Sequence, residues 1–305
     1  MSPLEKELTD ARNATPRDSK QLYFDVSNRA LVRMVGEESL DLLHRISTNE
    51  MLSLGVGASR QTILTSEKGR MIEIVSVYRK SKQELILAGS SHDPAILIHW
   101  LSKFIIMEDV KVEPIKEPHI QILIPVDSFR ISKILSSDTS PNTFMMSEQW
   151  EKATWTKFVI PGSPDHITKE LKNAGFTQGS DADLEVARIA DGIPGHPAEF
   201  VEFNPLEAGL KHLVSFTKGC YVGQEVIARL DTYEKVQRYL TRLRLAEMPS
   251  RLSAPIAVDR EEAGVLTSAT ATNPFIGLAY INRKFHDKDA DFIVDGRIGA
   301  KIFPN

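Results

Sequence analysis

The sequence predicts an α+β fold in two parts, an α+β body followed by a small C-terminal antiparallel β-barrel. Hairpin-like pairs of strands alternate with helices over the first 236 residues, without the regular strand–helix rhythm of a parallel sheet. Beyond that point short strands follow one another with no helical segment, which is typical of a small barrel. A chain of 305 residues with 42% hydrophobic residues can supply more than one core.

The predicted domain boundaries lie where this pattern changes. Residues 1–20 are polar and form a predicted leader. They have neither the apolar stretch of a signal peptide nor the composition of a typical transit peptide. Residues 21–236 form the predicted body, in one or two subdomains, and residues 237–305 form the predicted barrel. Arg238 to Leu245 alternates almost strictly between polar and apolar residues, which predicts a half-buried strand.

Helical spacing and turn residues define the elements of the body. Leu40, Leu43 and Ile46 recur at helical spacing, and Asp93-Pro94 is a typical helix start. The predicted helices span residues 37–47, 94–103, 126–135, 164–173, 183–190 and 224–230. The predicted body strands span 22–26, 30–35, 61–65, 71–78, 84–88, 110–114, 119–124, 144–146 and 154–160. The predicted barrel strands span 238–245, 256–258, 263–267, 275–281, 292–294 and 298–303.

Charge and composition exclude several classes of function. A net charge of −4, with basic residues interspersed among acidic ones, argues against nucleic acid as a partner. No apolar run approaches the length of a membrane span. The eight histidines are dispersed and the chain has one cysteine, so no metal site is predicted. A single cysteine fits a reducing compartment, and we expect a cytoplasmic protein.

The run 217–225, Thr-Lys-Gly-Cys-Tyr-Val-Gly-Gln-Glu, surrounds that cysteine and is the most informative stretch of the chain. Lys218 places a positive charge near Cys220 and a predicted helix follows, two features that favour a thiolate. Gly219 and Gly223 permit a tight turn. The alternative is that Cys220 is a small buried residue, the usual fate of a free cysteine. Local chemistry leaves both interpretations open.

A second group of polar residues precedes the cysteine run. Arg188 lies three residues after Glu185, so the two side chains can pair on one helix face. Glycines and prolines then fix an irregular turn over residues 191–199, and Glu207 lies in another ordered loop. These residues either contact a ligand or simply cap the end of a helix and a turn.

The run 218–229 resembles the signature of the YgfZ-type family, folate-binding proteins related to the T protein of the glycine cleavage system. Residues 188–195 and 204–210 resemble the T-protein pattern, and so do the barrel segments 264–268 and 274–281. The segment 65–73 resembles the loop on which the T protein carries its acidic catalytic group. Together these segments extend the resemblance from about residue 22 onward, and the cysteine run is the most specific of them.

The resemblance implies a T-protein-like ring of folate-binding α+β subdomains closed by the C-terminal β-barrel. It implies tetrahydrofolate, or a one-carbon derivative, as cofactor, and iron–sulfur client or assembly proteins as partners. The motif cysteine is typical of the branch that maintains iron–sulfur enzymes, and the T protein lacks it. The reactive candidates are Cys220 and Lys218, with Glu73 as the candidate acid of a transferase. The candidate folate-binding residues are Glu185, Arg188, Glu199, Glu207, Tyr221, Gln224 and Glu225.

The sequence also departs from the T-protein pattern at two functional positions. Where a true aminomethyltransferase has two aspartates, this chain has Glu73 and Ile74, and Ile74 cannot ionise. Ala190 stands where the T protein has its pterin-binding glutamate. A pterin ring needs an acceptor opposite its donors. Glu185, Asp191, Glu199 and Glu207 are the candidates to supply it.

Three functions follow. The first is a tetrahydrofolate-binding accessory protein in iron–sulfur cluster assembly or repair, with a Cys220 thiolate at the mouth of the folate pocket and Lys218 lowering its pKa. The second is a folate-dependent aminomethyltransferase or other one-carbon transferase, which needs an acid near the folate nitrogen. The third is a non-catalytic adaptor. The sequence leaves open whether the protein is an enzyme.

Overall fold

A computed structural model of the chain describes residues 21–134, 143–162, 165–286 and 290–303. These residues form two five-stranded sheets, a closed six-stranded barrel and the helices that cover them. The predicted α+β class with a C-terminal antiparallel barrel is therefore confirmed. The predicted leader, residues 1–20, lies outside the described residues. Within the described ranges, no helix has the length and apolar character that a membrane crossing requires.

The first sheet is antiparallel throughout. Its strands are β2 (Leu31–Val35), β3 (Ser59–Thr65), β4 (Met71–Arg79), β5 (Glu84–Gly89) and β6 (Lys111–Pro114). They pair in the order β3-β4-β5-β2-β6. Two helices cover this sheet, α1 (Ser39–Ile46) and α2 (Pro94–Ser102). Both helices contribute to one hydrophobic core with the sheet, in which Leu43 and Leu101 are fully buried.

The sequence signals for these two helices correspond to real contacts. In α1 the residues at helical spacing, Leu40, Leu43 and Ile46, are all buried. At the start of α2 the Asp93 side chain accepts a hydrogen bond of 2.8 Å from the backbone N–H of Ala95. This bond satisfies one of the free N–H groups of the first turn, and proline at the first helical position costs no hydrogen bond.

The second sheet combines antiparallel pairs with one parallel pair. Its strands are β1 (Gln21–Asp25), β7 (His119–Ile124), β8 (Phe144–Gln149), β9 (Thr154–Pro161) and β10 (Phe176–Gln178). They pair in the order β10-β1-β7-β9-β8, and β1 and β10 are parallel. The associated helices are α3 (Ser128–Ile134), α4 (Asp165–Asn173) and α5 (Asp181–Ala190). A capping box between Ser180 and Asp183 fixes the start of α5.

The two sheets meet through a shared hydrophobic cluster. It joins Leu31 and Ile86 of the first sheet to Phe144, Met146 and Val159 of the second. Strand β8 also runs beside β3, and the backbone N–H of Gln149 donates to the Gln61 side chain. The body is therefore joined internally through apolar contacts and hydrogen bonds.

The barrel is formed by six antiparallel strands. They are β11 (Arg238–Leu245), β12 (Ala254–Val258), β13 (Glu261–Ala269), β14 (Ile276–Asn282), β15 (Phe292–Val294) and β16 (Ile298–Ile302). In β11 the alternating pattern buries Thr241, Leu243 and Leu245. Helix α6 (Gln224–Thr232) precedes the barrel, and a short helix α7 (Arg283–His286) follows β14. The division of the chain into domains at residues 20 and 236 stays a prediction.

Candidate functional site

A cavity of about 430 Å³ lies where the second sheet, helix α5 and the barrel meet. Leu123 and Trp155 line it from the sheet, Glu185 and Arg188 from α5, and Ser268 from β13. The segments 25–29, 90–92 and 193–198 also contribute to the lining. This size is within the range of pockets that bury small organic ligands.

One wall of the cavity is flat and apolar. Trp155 on β9 is buried and packs in one cluster with Leu123 and Ile193. Its indole Nε1 donates a hydrogen bond of 2.8 Å to Oδ2 of Asp191, at the end of α5. Because both its packing and its polar atom are fixed, Trp155 is a rigid part of this wall. Asp191 is one of the candidate pterin acceptors, and this bond already uses one of its carboxylate oxygens.

Arg188 forms the centre of a hydrogen-bond network in the cavity lining. Its Nε and Nη2 donate to the two carboxylate oxygens of Glu185, at 2.6 and 2.5 Å. Its Nη1 donates to the carbonyl of Ile193 at 2.9 Å and to Oε2 of Glu199 at 3.3 Å. Its Nη2 also donates to Oγ of Ser268 at 2.7 Å. The donors of the guanidinium are thus used within the protein, and they tie α5 to the barrel.

Glu199 completes this network from a position behind the cavity wall. Its side chain is completely buried, and its Oε1 accepts from Oγ of Ser268 at 2.7 Å. Its Oε2 accepts from the backbone N–H of Gly195 at 2.8 Å as well as from Arg188. Both oxygens are therefore engaged. A Cβ at Gly195 would lie 2.7 Å from Cζ of Arg188, so glycine is required for this close packing.

A buried ion pair at the end of β8 contributes a partly free carboxylate to the cavity. Oε1 of Glu148 lies 2.7 Å from Nζ of Lys157 and accepts from Oγ of Ser76 at 2.9 Å. Glu148 is among the residues that line the cavity, and its other oxygen, Oε2, accepts no hydrogen bond from the described residues. Burial acts to raise the pKa of Glu148, but Lys157, Arg29 and the hydrogen bonds outweigh burial and lower that pKa. The group is therefore a carboxylate at neutral pH.

Arg29 is the second guanidinium of the cavity lining and differs from Arg188. Its side chain is half-buried, and it makes neither a hydrogen bond nor an ion pair with any residue in the described ranges. Its backbone is fixed, because its carbonyl accepts a bond of 2.8 Å from Nε2 of Gln121. Burial lowers the pKa of Arg29, and the nearby Glu148 opposes that shift.

The cysteine loop lies outside the cavity lining. Cys220 is exposed to solvent and is absent from the residues that line the cavity. The carbonyl of Val222 accepts a hydrogen bond from Oγ1 of Thr65, which anchors the loop beside the turn between β3 and β4. The expected position of Cys220 at the mouth of the folate pocket is therefore not seen, while the interpretation of Cys220 as a buried residue is wrong.

Lys218 points away from solvent to the end of helix α1. Its Nζ donates to the backbone carbonyls of His44, Ser47 and Asn49, where helix carbonyls lack partners. Burial lowers the pKa of Lys218 to about 8. The ammonium group thus holds the cysteine loop against α1, a structural role that the sequence did not indicate.

Tyr221 is buried beneath the cysteine loop. Its ring lies 5.4 Å from Nζ of Lys218, and its hydroxyl has no hydrogen-bond partner among the described residues. Burial raises the pKa of Tyr221 to about 12. Oε1 of Gln224 accepts a bond of 3.3 Å from the Tyr221 backbone, and Glu225 is exposed in the first turn of α6. None of these three candidate folate-binding residues lines the cavity.

Glu207 also lies away from the cavity lining. It is buried, and its Oε2 accepts from the backbone N–H of Asn204 at 3.0 Å and from Nη1 of Arg70 at 3.3 Å. Its Oε1 accepts from Nε of Arg238 at 3.4 Å. Both oxygens are used to join the loop to β4 and to the barrel.

Glu73 is completely buried in β4, and both of its carboxylate oxygens accept hydrogen bonds from backbone N–H groups. Its Oε1 accepts from the N–H groups of Ile74 and Ser90, at 3.0 and 2.9 Å. Its Oε2 accepts from the N–H of Ser91 at 3.0 Å. Glu73 therefore fixes the chain after β5 and is not among the residues that line the cavity.

Of the predicted site residues, the structure brings Glu185, Arg188 and Glu199 together at the cavity. Sequence reasoning missed Arg29, Glu148 and Trp155. One signal for Glu148 was available, since it shares the buried face of β8 with two apolar residues and is charged. The described residues contain no group of three or more His, Cys, Asp and Glu side chains that could hold a metal ion.

Comparisons with known proteins agree with this architecture. A family profile described as the GCVT N-terminal domain matches residues 11–145. The crystal structure of the glycine cleavage system aminomethyltransferase T from Bartonella henselae superposes with a TM-score of 0.76. That match covers 93% of this chain and 85% of the other at 15% sequence identity, so it speaks for the fold alone.

Several named relatives are similar over most of the chain. A candidate chloroplastic transferase of Arabidopsis thaliana is 29% identical over 88% of this chain, which spans 66% of the length of that protein. An aminomethyltransferase of Listeria monocytogenes is 24% identical over 92% of this chain and 84% of its own length. The mitochondrial iron–sulfur cluster assembly factor IBA57 of Mus musculus is 25% identical over 83% of this chain and 73% of its own length.

Proposed function

We propose that this chain, which belongs to the folate-binding GCVT family, binds a reduced folate in its cavity and acts in iron–sulfur cluster assembly or repair. The observation that carries the proposal is a ligand-sized cavity that contains binding groups. No free acid lies at the position where the T protein carries its catalytic acid, because Glu73 does not line the cavity. The exposed thiol of Cys220 is the second functional group, and it lies outside that cavity.

The residues of the cavity fit tetrahydrofolate. A volume of about 430 Å³ accommodates a drug-sized molecule, and Trp155 supplies part of a rigid apolar wall for it. Oε2 of Glu148 supplies an acceptor for pterin N–H donors. It takes the role of the pterin-binding glutamate of the T protein, at whose position this chain has Ala190. When bound, tetrahydrofolate supplies a reduced carrier for one-carbon units.

Glu148 is a better acceptor for the pterin than the carboxylates expected from sequence. Glu185 accepts from Nε and Nη2 of Arg188, and Glu199 and Glu207 have both oxygens engaged. To bind a pterin, Glu185 would have to give up its pair with Arg188, and Glu199 and Glu207 would have to give up bonds to the barrel. Glu148 can accept through one oxygen while Lys157 and Ser76 keep the other in place.

The surroundings of Glu73 disfavour the alternative, a folate-dependent aminomethyltransferase. A general acid or base must reach the proton that it transfers, directly or through one water molecule. Three backbone N–H groups surround the Glu73 carboxylate, which does not line the cavity, and its neighbour Ile74 cannot ionise. Ammonia release from an aminomethyl donor with tetrahydrofolate is therefore expected to stay at the background rate, and turnover above background would revive the alternative.

The position of Cys220 suits the approach of a partner protein. The loop is fixed through Lys218 on one side and Val222 on the other, while the thiol itself faces solvent. One thiol cannot hold an iron–sulfur cluster, which normally takes several ligands. We infer that the Cys220 thiolate donates one ligand bond to iron, with the remaining ligands supplied by a client protein. A cytoplasmic location stays part of the proposal.

Replacing Cys220 separates the two functions. In a deletion strain complemented with Cys220→Ala, iron–sulfur enzyme activities are expected to fall to the level of the empty vector. The purified variant is expected to bind tetrahydrofolate as tightly as the wild-type protein, because the thiol lies outside the cavity lining. Ser102→Ala, an exposed change on α2, is the matched control. Wild-type enzyme activities with Cys220→Ala would contradict the role of the thiol.

A further inference from the structure

The charged groups of the cavity are not all compensated within the protein. Glu185 pairs with Arg188, and Glu148 pairs with Lys157. The guanidinium of Arg29 lines the same cavity, and none of the described residues accepts a hydrogen bond from it or pairs with it. Arg29 is thus the cation of this lining whose donors stay available to a ligand.

An unpaired guanidinium in a partly desolvated position is costly for a protein to keep. Removing a charge from water without a partner costs free energy that only an opposite charge or several hydrogen bonds can offset. Packing does not explain Arg29 either, because its side chain is half-buried beside a cavity. The geometry therefore indicates that the partner of Arg29 arrives with the ligand.

The surrounding charges favour a carboxylate group over a phosphate group as the partner of Arg29. Four carboxylates line the cavity, those of Asp25, Glu148, Asp181 and Glu185, against the guanidiniums of Arg29 and Arg188. A phosphate that carries two negative charges would meet more repulsion from these groups than a carboxylate with one. A carboxylate also matches the planar fork of arginine with two parallel hydrogen bonds.

We propose that Arg29 binds a carboxylate of the molecule that occupies the cavity, and that it thereby selects ligands which carry one. This inference rests on the proposed function for the nature of the ligand. The carboxylate has two sources, the glutamate tail of a reduced folate or a separate small carboxylate bound beside the folate. Arg29 is then a specificity-determining residue, separate from the Glu148 acceptor.

Isothermal titration calorimetry with two folates tests the proposal. Tetrahydrofolate carries the glutamate tail, whereas tetrahydropteroyl amide is the same molecule with a neutral carboxamide in place of the glutamate and has no carboxylate. If Arg29 binds the tail, wild-type protein binds tetrahydropteroyl amide about 10- to 100-fold more weakly than tetrahydrofolate, since a hydrogen-bonded charge pair is lost. Arg29→Gln then binds both folates equally, at the weaker level, and Arg29→Lys recovers part of the difference.

Glycine and acetate titrated onto the complex with tetrahydropteroyl amide test the second source. Binding of either by the wild-type complex, and its loss in Arg29→Gln, would assign Arg29 to a separate carboxylate. Arg130→Gln, at an exposed arginine on α3 outside the cavity lining, is the control and should match the wild type throughout.

The outcomes distinguish this inference from the proposed function. If Arg29→Gln binds both folates as the wild type does, and no small carboxylate binds in an Arg29-dependent manner, the inference is overturned while folate binding stands. Equal weakening of both folates also overturns it, because Arg29 would then act on the shared part of the ligand. If the wild-type protein binds neither folate, the proposed function fails and the inference fails with it. Arg29→Gln removes no hydrogen bond or ion pair with the described residues and weakens only the longer-range attraction to carboxylates such as Glu148, so the variant should still fold, and its melting transition checks this.

Discussion

Gly223 lies where the cysteine loop turns into helix α6, at a backbone φ of +81°. Non-glycine residues occupy this left-handed region at a cost, because their Cβ approaches the following carbonyl. A Cβ at Gly223 would also lie 2.5 Å from the carbonyl oxygen of Ser66 and 3.0 Å from Cα of Gly69. Both contacts are with backbone, which cannot swing aside as a side chain can. Gly223→Ala must therefore shift the loop away from the turn between β3 and β4.

The expected cost follows from these two effects. The left-handed backbone contributes about 1–2 kcal/mol, and overpacking against fixed atoms contributes about 1–3 kcal/mol. Gly223→Ala is therefore expected to lower the free energy of unfolding by about 2–5 kcal/mol. The matched control lies four residues earlier in the same loop. A Cβ at Gly219 would meet nothing within 4 Å, and its φ is not positive, so Gly219→Ala should change stability by less than about 0.5 kcal/mol.

Urea denaturation followed by tryptophan fluorescence provides the measurement. We expect the midpoint of Gly223→Ala to decrease with an unchanged slope, and the midpoint of Gly219→Ala to match the wild type. Near-identical midpoints for the two variants would refute the reasoning, since the loop would then adapt to a Cβ at no cost. The cysteine loop could not, in that case, be regarded as a fixed platform for Cys220.

Four further predictions follow from the remaining contacts. Arg188→Leu should lower the free energy of unfolding by about 3–5 kcal/mol in urea denaturation, because it leaves the buried Glu199 without its charged partner. Tyr221→Phe should raise that free energy by about 1 kcal/mol, since it removes a buried hydroxyl that lacks a partner among the described residues. The pKa of Tyr221 is raised to about 12, so the wild type should lose stability relative to Tyr221→Phe as pH rises from about 10 towards 12, where the unfolded chain ionises first. The pKa of Glu108 is lowered to about 2 by backbone hydrogen bonds, so its contribution, present above about pH 4.5, should be lost towards pH 2 in the wild type and absent in Glu108→Gln. Melting temperatures across each pH range check the last two, and parallel profiles for wild type and variant would contradict them.

Local patterns in the sequence were enough to predict most of the helices and strands. The helical spacing of Leu40, Leu43 and Ile46 and the alternation over Arg238–Leu245 correspond to buried faces in the structure. Strand β10 was missed, because three residues carry too little pattern to stand out from a turn. It also pairs in parallel with β1, a contact between residues far apart in the chain. Such pairing depends on tertiary structure.

The candidate site was harder to predict than the fold. Glu185 and Arg188 could be paired from their spacing on one helix, and the structure has that pair. Arg29 and Glu148 come from different strands and loops, and only folding brings them to one cavity. A local sequence pattern cannot predict that residues so far apart in the chain lie close together in the fold.

The cysteine run illustrates a different limit. Its composition indicated a fixed loop, and Gly223 is indeed required by the close approach of two backbones. The same composition did not reveal which direction Lys218 points, or that its ammonium group caps α1. Side-chain direction depends on the helix that the loop packs against, and that helix lies about 170 residues earlier in the chain.

A crystal structure of the protein with tetrahydrofolate tests the central claim most directly. The account predicts electron density for the folate in the cavity, with its pterin beside Glu148 and Trp155 and without a contact to the sulfur of Cys220. Folate bound against Cys220, or at any surface away from the cavity, would contradict it.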